Sequence, residues 1–157
     1  MIDSTAIIYD GVTIENNVTI GPFCIIGGPA EWKGKESTKG VLIKSGTVIT
    51  GLVTIDAGVE RQTVIGNDCY LMKHSHVGHD VILGNDVTLS CGAKVGGHTE
   101  VKDGCNIGLN AVLHQKLVIP EGCMIGASAF VGKKTELKPF RKYAGVPAKD
   151  IGSNERI

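Results

Sequence analysis

The chain beats with a period of six, and that period excludes most folds. From Ile65 onward every sixth residue is aliphatic: Ile65, Leu71, Val77, Leu83, Leu89, Val95, Val101, Ile107, Leu113, Ile119, Ile125, Val131 and Leu137. Glycine often follows, as at Gly66, Gly78, Gly84, Gly96, Gly108, Gly126 and Gly132. The same beat runs through Ile8, Ile14, Ile20 and Ile26 and resumes at Ile43, Ile49 and Ile55. A helix repeats its apolar stripe at about 3.6 residues and a half-buried strand at about 2, so neither fits. A short strand plus a tight corner does fit, with glycine taking unusual backbone angles and a small residue filling the turn. Such units wind into a parallel β-helix, each coil hydrogen-bonded to the one before.

The pattern resembles the hexapeptide-repeat family of left-handed parallel β-helices, in which three hexads make one triangular coil. The left hand is what the resemblance implies, because the general crossover rule points the other way. The fold class expected is therefore all-β, and about twenty hexads predict six to seven coils, on the order of 30 Å at ~4.8 Å per coil. The beat breaks at "GGPAEWKGKESTKG" (27–40), which reads as an extruded loop, and at "ERQT" (60–63), four residues added at a corner. After Leu137 it gives way to prolines and charges. The expected organisation is a β-helix domain over 1–142 and a C-terminal cap and frayed tail over 143–157.

Composition narrows the function classes. Sixteen basic residues balance sixteen acidic ones, so nothing marks a general nucleic-acid binder or a membrane-surface protein. No window has the length of a membrane-spanning helix, and "MIDSTAIIYD" lacks a signal peptide's basic-then-apolar pattern, so a cytoplasmic protein without membrane insertion is expected. Cys24, Cys69, Cys105 and Cys123 each fall four places after an aliphatic ladder residue, and Cys91 falls elsewhere. With no CxxC pair they read as small core packers in a reducing compartment, not as a disulfide framework or metal knot.

All five histidines lie between 74 and 114, three of them in "KHSHVGHD" (73–80). If a coil is three hexads, residues 18 apart stack, so one column reads His79, Gly97, Gln115, Lys133 and its neighbour reads Asp80, His98, Lys116, Lys134. A third column brings His114 to the same strip. A histidine with an adjacent carboxylate to orient it, and a bare glycine N–H one coil above, is the equipment of general-base acyl transfer with a backbone oxyanion donor. No serine stands in the column for a covalent intermediate, so direct attack on a thioester is the simpler route. Lys133, Lys134, Lys138, Arg141 and Lys142 at the far end of the strip read either as a solvated end or as a landing site for phosphopantetheine or a carrier protein.

"STAIIYDGVTIENNVTIGPFCIIG", "AEWKG", "LMKHSHVGHD", "GAKVGGH" and "NAVLHQ" together resemble the UDP-N-acetylglucosamine acyltransferases of lipid A biosynthesis, over roughly residues 1–135. The resemblance implies a homotrimer that moves a hydroxyacyl chain from acyl carrier protein to a hydroxyl of a nucleotide-linked sugar. It also implies His79 as general base, Asp80 as its orienting partner and the Gly97 N–H as oxyanion donor. His76, His98, His114 and Gln115 would line the sugar and acyl pocket, and Lys33 would meet the nucleotide phosphates. No metal and no bound cofactor is implied; the acyl carrier protein or coenzyme A thioester is a co-substrate. Two features depart from that family. That family continues into a helical C-terminal domain that these residues stop short of, and "YAGVPAKDI" resembles the terminus of coenzyme-A-dependent sugar acetyltransferases, many of which acylate an amine. An acetyl-CoA-dependent N-acetyltransferase is thus the alternative. The five-residue offset of His74 and His79 also matches γ-type carbonic anhydrases, although no histidine precedes His74 to complete their zinc site, and an inactive binding scaffold is a further reading. His74 reads as an exposed corner residue, and Trp32 and Lys33 read equally well as loop decoration.

Overall fold

The computed structural model describes residues 1–155, and there the hexads become short strands separated by corners, with no helix. The strands form three sheets. The first stacks Ile7–Ile8, Ile25–Gly28, Thr54–Asp56, His76–Val77, Lys94–Val95, Val112–Leu113 and Phe130–Val131. The second stacks Val12–Ile14, Val41–Ile43, Thr63–Ile65, Ile82–Leu83, Glu100–Val101 and Val118–Ile119. The third runs from Thr19–Ile20 through Val48–Ile49, Tyr70–Leu71, Thr88–Leu89, Asn106–Ile107 and Met124–Ile125 to Arg141–Ala144 and Lys149–Ser153. Pairing is parallel and in register at one coil, as with His76 against Lys94 and Leu71 against Leu89. This is the hexapeptide β-helix that the sequence predicts.

Every ladder residue from Ile65 to Val131 is buried, and Leu137 packs partly buried against the end of the core. The residue before each ladder position points outward, since strand side chains alternate; Lys94, Val112 and Val118 are exposed while Val95, Leu113 and Ile119 are not. Each buried aliphatic contributes roughly 1.5–3 kcal/mol relative to exposure, so an aspartate at Leu89 would both lose that and bury an unpaired charge. Cys24, Cys69, Cys105 and Cys123 lie in the same core and Cys91 is exposed.

The glycines after the ladder serve a different purpose from the one their position suggests. None of Gly66, Gly78, Gly84, Gly96, Gly108, Gly126 or Gly132 has a positive φ. At Gly66, Gly78, Gly84, Gly96 and Gly108 what is needed is close approach of successive coils: a Cβ on Gly96 would stand 2.6 Å from the Gln115 nitrogen, and one on Gly108 2.6 Å from the Ile125 oxygen. The left-handed conformation falls three residues after the ladder aliphatic, at Asp68, His74, Asp80, Asp86, His98, Asn110 and Lys116 among others.

Three further features refine the sequence reading. Gly27 and Gly28 belong to a strand, so the extruded loop starts at Pro29; it is tied at its base by Ala30 N–H to Ser37 Oγ (2.7 Å) and Lys39 N–H to the Gly58 carbonyl (2.9 Å). Arg141–Ala144 adds a seventh parallel strand to the third sheet without a hexad motif. Where a frayed tail is expected, Lys149–Ser153 folds back antiparallel on that strand, held by Arg141 to Asp150 at 2.8 Å. Among the described residues no helix is long and apolar enough to cross a membrane.

Candidate active site

The corner joining the first sheet to the second carries the strip of histidines. Coil stacking places His79 directly beneath Gly97: the His98 N–H donates to the His79 carbonyl (3.0 Å), and the Lys116 N–H donates to the Gly97 carbonyl (2.9 Å). A Cβ added at Gly97 would lie 2.7 Å from His79 Nε2. Only glycine leaves that nitrogen open to a reactant. Among the described residues the Gly97 N–H has no hydrogen-bond partner, so it remains a donor beside the imidazole.

Asp80 is fully buried. Its Oδ2 lies 2.6 Å from His79 Nδ1, which holds that nitrogen as the donor and directs the Nε2 lone pair outward. Its Oδ1 accepts three backbone N–H groups, from Val59 (3.1 Å), Glu60 (2.8 Å) and Arg61 (2.6 Å). Burial pushes the carboxyl pKa up, but those donors and His79 outweigh it, and the net shift is below the ordinary carboxylate range. The insertion at 60–63 thus has a structural purpose: the Val59–Arg61 backbone where it begins is an anion nest for Asp80. Arg61 braces the same corner, donating from Nε to the Asp80 carbonyl (2.7 Å), from Nη2 to the His98 carbonyl (3.1 Å) and from Nη1 to Glu100 (2.9 Å).

The other residues singled out in the sequence divide. His98 joins the cluster, with Nε2 3.7 Å from Asp80 Oδ2 and buried without a hydrogen-bond partner. His76 sits on the strand before His79, its Nδ1 2.7 Å from Thr54 Oγ1 and its Nε2 3.9 Å from Asp56 Oδ2. Burial raises the Asp56 pKa, with His76 pulling the other way. His114 is half-buried, its Nδ1 3.0 Å from the Gln115 carbonyl, and it stands at the edge of a groove of about 750 Å³. Phe130, Pro147 and Ala148 line that groove together with Lys133, Lys134, Lys138 and Lys149. The Gln115 side chain and Lys33 are exposed, as is His74. The ligand atoms of His79, Asp80 and His98 all lie within 4.8 Å of one another. Within that group His79 Nδ1 and Asp80 Oδ2 are already bonded to each other at 2.6 Å.

Sequence reasoning missed two parts of this site. One is the Val59–Arg61 nest, and the other is Trp32, whose ring stacks on His79 at 5.0 Å and meets His98 edge-on at 5.6 Å. Both lie in segments where the period breaks, and the break was the available signal.

Residues 62–97 match the family described as bacterial transferase hexapeptide (six repeats). Among solved structures, the UDP-N-acetylglucosamine acyltransferase from Bacteroides fragilis superposes with a TM-score of 0.92 at 26% identity, covering 98% of this chain and 60% of that one. Another UDP-N-acetylglucosamine acyltransferase gives 0.83 at 25% identity, over 98% of this chain and 74% of its own. The acetyltransferase domain of PglB from Neisseria gonorrhoeae shares the fold at 0.53 and 20% identity, over 93% and 57%. The chain therefore spans 60% of the length of the Bacteroides fragilis enzyme. By repeat and by architecture it is a hexapeptide-repeat, left-handed parallel β-helix of the kind found in the UDP-N-acetylglucosamine acyltransferases.

Proposed function

We propose that the protein transfers an acyl group from a thioester to a hydroxyl of a nucleotide-linked amino sugar such as UDP-N-acetylglucosamine, with His79 as general base. The observation that carries this reading is the orientation of His79: Nδ1 is bound to a buried, hydrogen-bonded Asp80, and Nε2 faces the space that Gly97 leaves empty. In the reaction the sugar hydroxyl gives its proton to Nε2 as its oxygen attacks the thioester carbonyl. The carbonyl oxygen gains negative charge within reach of the Gly97 N–H. Collapse of the tetrahedral intermediate breaks the carbon–sulfur bond, and the imidazolium returns the proton to the departing thiolate. A positioned base of this type is worth about 10²–10⁴ in rate. His76, His98, His114 and Gln115 then border the acceptor and acyl chain, Lys33 meets the nucleotide phosphates, and three copies of the chain close the half-open strip as a homotrimer.

The basic groove beyond His114 suits the donor. Its cationic wall can take phosphate while its apolar floor takes an acyl or pantetheine arm. One observation favours the second reading, an acetyl-CoA-dependent N-acetyltransferase: Pro147, Ala148, Lys149 and Asp150 of the "GVPAKD" terminus line this groove. A mass-spectrometric screen crossing acyl carrier protein and coenzyme A thioesters with UDP-N-acetylglucosamine and amino-sugar nucleotides separates the two. O-acylated UDP-N-acetylglucosamine, formed equally well after chelator treatment, is expected. N-acetylation of an amino sugar by acetyl-CoA alone selects the second reading, and chelator-sensitive turnover removes the base mechanism.

A further inference from the structure

Trp32 is the protein's single tryptophan, and it lies on the loop that interrupts the β-helix. The loop places it firmly. The Ala30 N–H donates to Ser37 Oγ (2.7 Å), the Glu31 N–H reaches Asp56 Oδ2 (3.4 Å), and the Trp32 N–H donates to the Ala30 carbonyl (2.7 Å). The indole then lies nearly parallel to the His79 imidazole, with centroids 5.0 Å apart and planes at 28°. Its edge contact with His98 makes a three-ring cluster, because His79 and His98 are themselves perpendicular at 5.0 Å. The His79 side chain is thereby left only 11% exposed.

We infer that Trp32 is a positioning residue for proton transfer at His79: its indole face holds the imidazole against Asp80 and receives the positive charge the ring gains when it takes a proton. The inference rests on the base role proposed above for His79. A neutral imidazole packs well on an indole, and an imidazolium packs better, because the ring face is negative and the contact is shielded from water. The interaction therefore strengthens as the base is protonated, which lowers the barrier more than it stabilises the resting enzyme. Other charged or titratable groups face the pair: Asp80 on Nδ1, His98 across the cluster, Asp56 beneath the loop, Glu60 beside His98 at 3.8 Å, and the Lys35 ammonium 5.3 Å from the indole centroid. They are common to all the variants below, so they do not produce a difference between them.

Two measurements on the full chain test this. The first follows the His79 imidazole by NMR through a pH titration in wild type, W32F and W32L. Phenylalanine keeps an aromatic face and leucine keeps bulk without one. The titration midpoint is expected to change little in W32F and to fall by about half a unit or more in W32L, with circular dichroism confirming the β-helix in both. Equal midpoints in the two variants overturn the inference. The second measures turnover with whichever thioester and acceptor the wild type uses. W32L should lose roughly 3- to 30-fold in kcat with little change in KM, while W32F stays near wild type. A loss in KM alone, or equal losses in both variants, makes Trp32 a substrate wall and overturns the inference. If the midpoint moves in W32L while His79→Ala leaves turnover intact, the contact stands and the base assignment beneath it fails.

Discussion

Two corners of the same coil are built on one backbone and end in different chemistry. At the corner between the second and third sheets, Asn67, Asn85 and Asp103 stack in one column. Asn85 Oδ1 accepts the Asn67 N–H at 2.9 Å, and Asp103 Oδ1 accepts the Asn85 N–H at 2.8 Å. Each side chain closes the coil below it. At the corner between the first and second sheets the equivalent column is His79, Gly97 and Gln115. Gly97 has no side chain with which to accept, and its own N–H stays open. The His79 and Asp80 side chains bond to each other and to the added turn instead of to the ladder. The first corner uses its side chains to close the ladder. The second leaves the Gly97 N–H open beside an oriented imidazole, which is what the proposed chemistry needs.

The largest break in that comparison should come from Gly97→Ala. Its Cβ would sit 2.7 Å from His79 Nε2, in the space an acceptor oxygen needs. Steady-state turnover should fall by about 10² or more, since a displacement near 1 Å at a reacting group has that effect. The thermal midpoint should barely move. Asp80→Asn comes next, with a loss of at least about tenfold from the missing charge-assisted bond to Nδ1. It also carries a pH signature. A carboxyl whose folded pKa is depressed adds stability that is present above its ordinary value of about 3.9 and is lost as pH falls through the lower folded value. Wild type should therefore lose thermal stability below about pH 4 more steeply than Asp80→Asn does, as melts taken across that range would show.

Arg61→Ala removes the brace and leaves the backbone nest in place. Turnover should drop only a few-fold, about what one ordinary hydrogen bond is worth, and a drop as large as that of Asp80→Asn would shift the weight from the nest to the guanidinium. Asn85→Ala is the smallest in activity and sharpens the contrast from the scaffold side. It should lower stability by about 1 kcal/mol in a urea titration and leave kcat unchanged.

The fold was legible because a period of six admits few solutions, and Ile65 through Val131 all point inward as the period requires. Stacking by one coil also puts Gly97 over His79. What the period could not carry was anything hung from its interruptions. Trp32 and the Val59–Arg61 turn reach the site through loop conformations fixed by long-range contacts such as Lys39 to Gly58 and Arg61 to Asp80, and no local pattern encodes those. The ladder glycines misled for a related reason. Their sequence position suggests a turn conformation, whereas the requirement is the neighbouring coil, as Gly78 shows against Gly97. Arg141–Ala144 was missed because it continues the sheet by backbone pairing alone.

The most direct test of the central claim is the pH profile of kcat/KM for wild type and His79→Ala, measured with the donor and acceptor that give product. The wild-type profile should fall on the acid side as one imidazole protonates, because Nε2 must be neutral to accept a proton. His79→Ala should retain the β-helix, lose about 10²–10⁴ in rate and show no such acid limb. An alanine variant that keeps the wild-type limb, or keeps most of the wild-type rate, would contradict the assignment of His79 as the base.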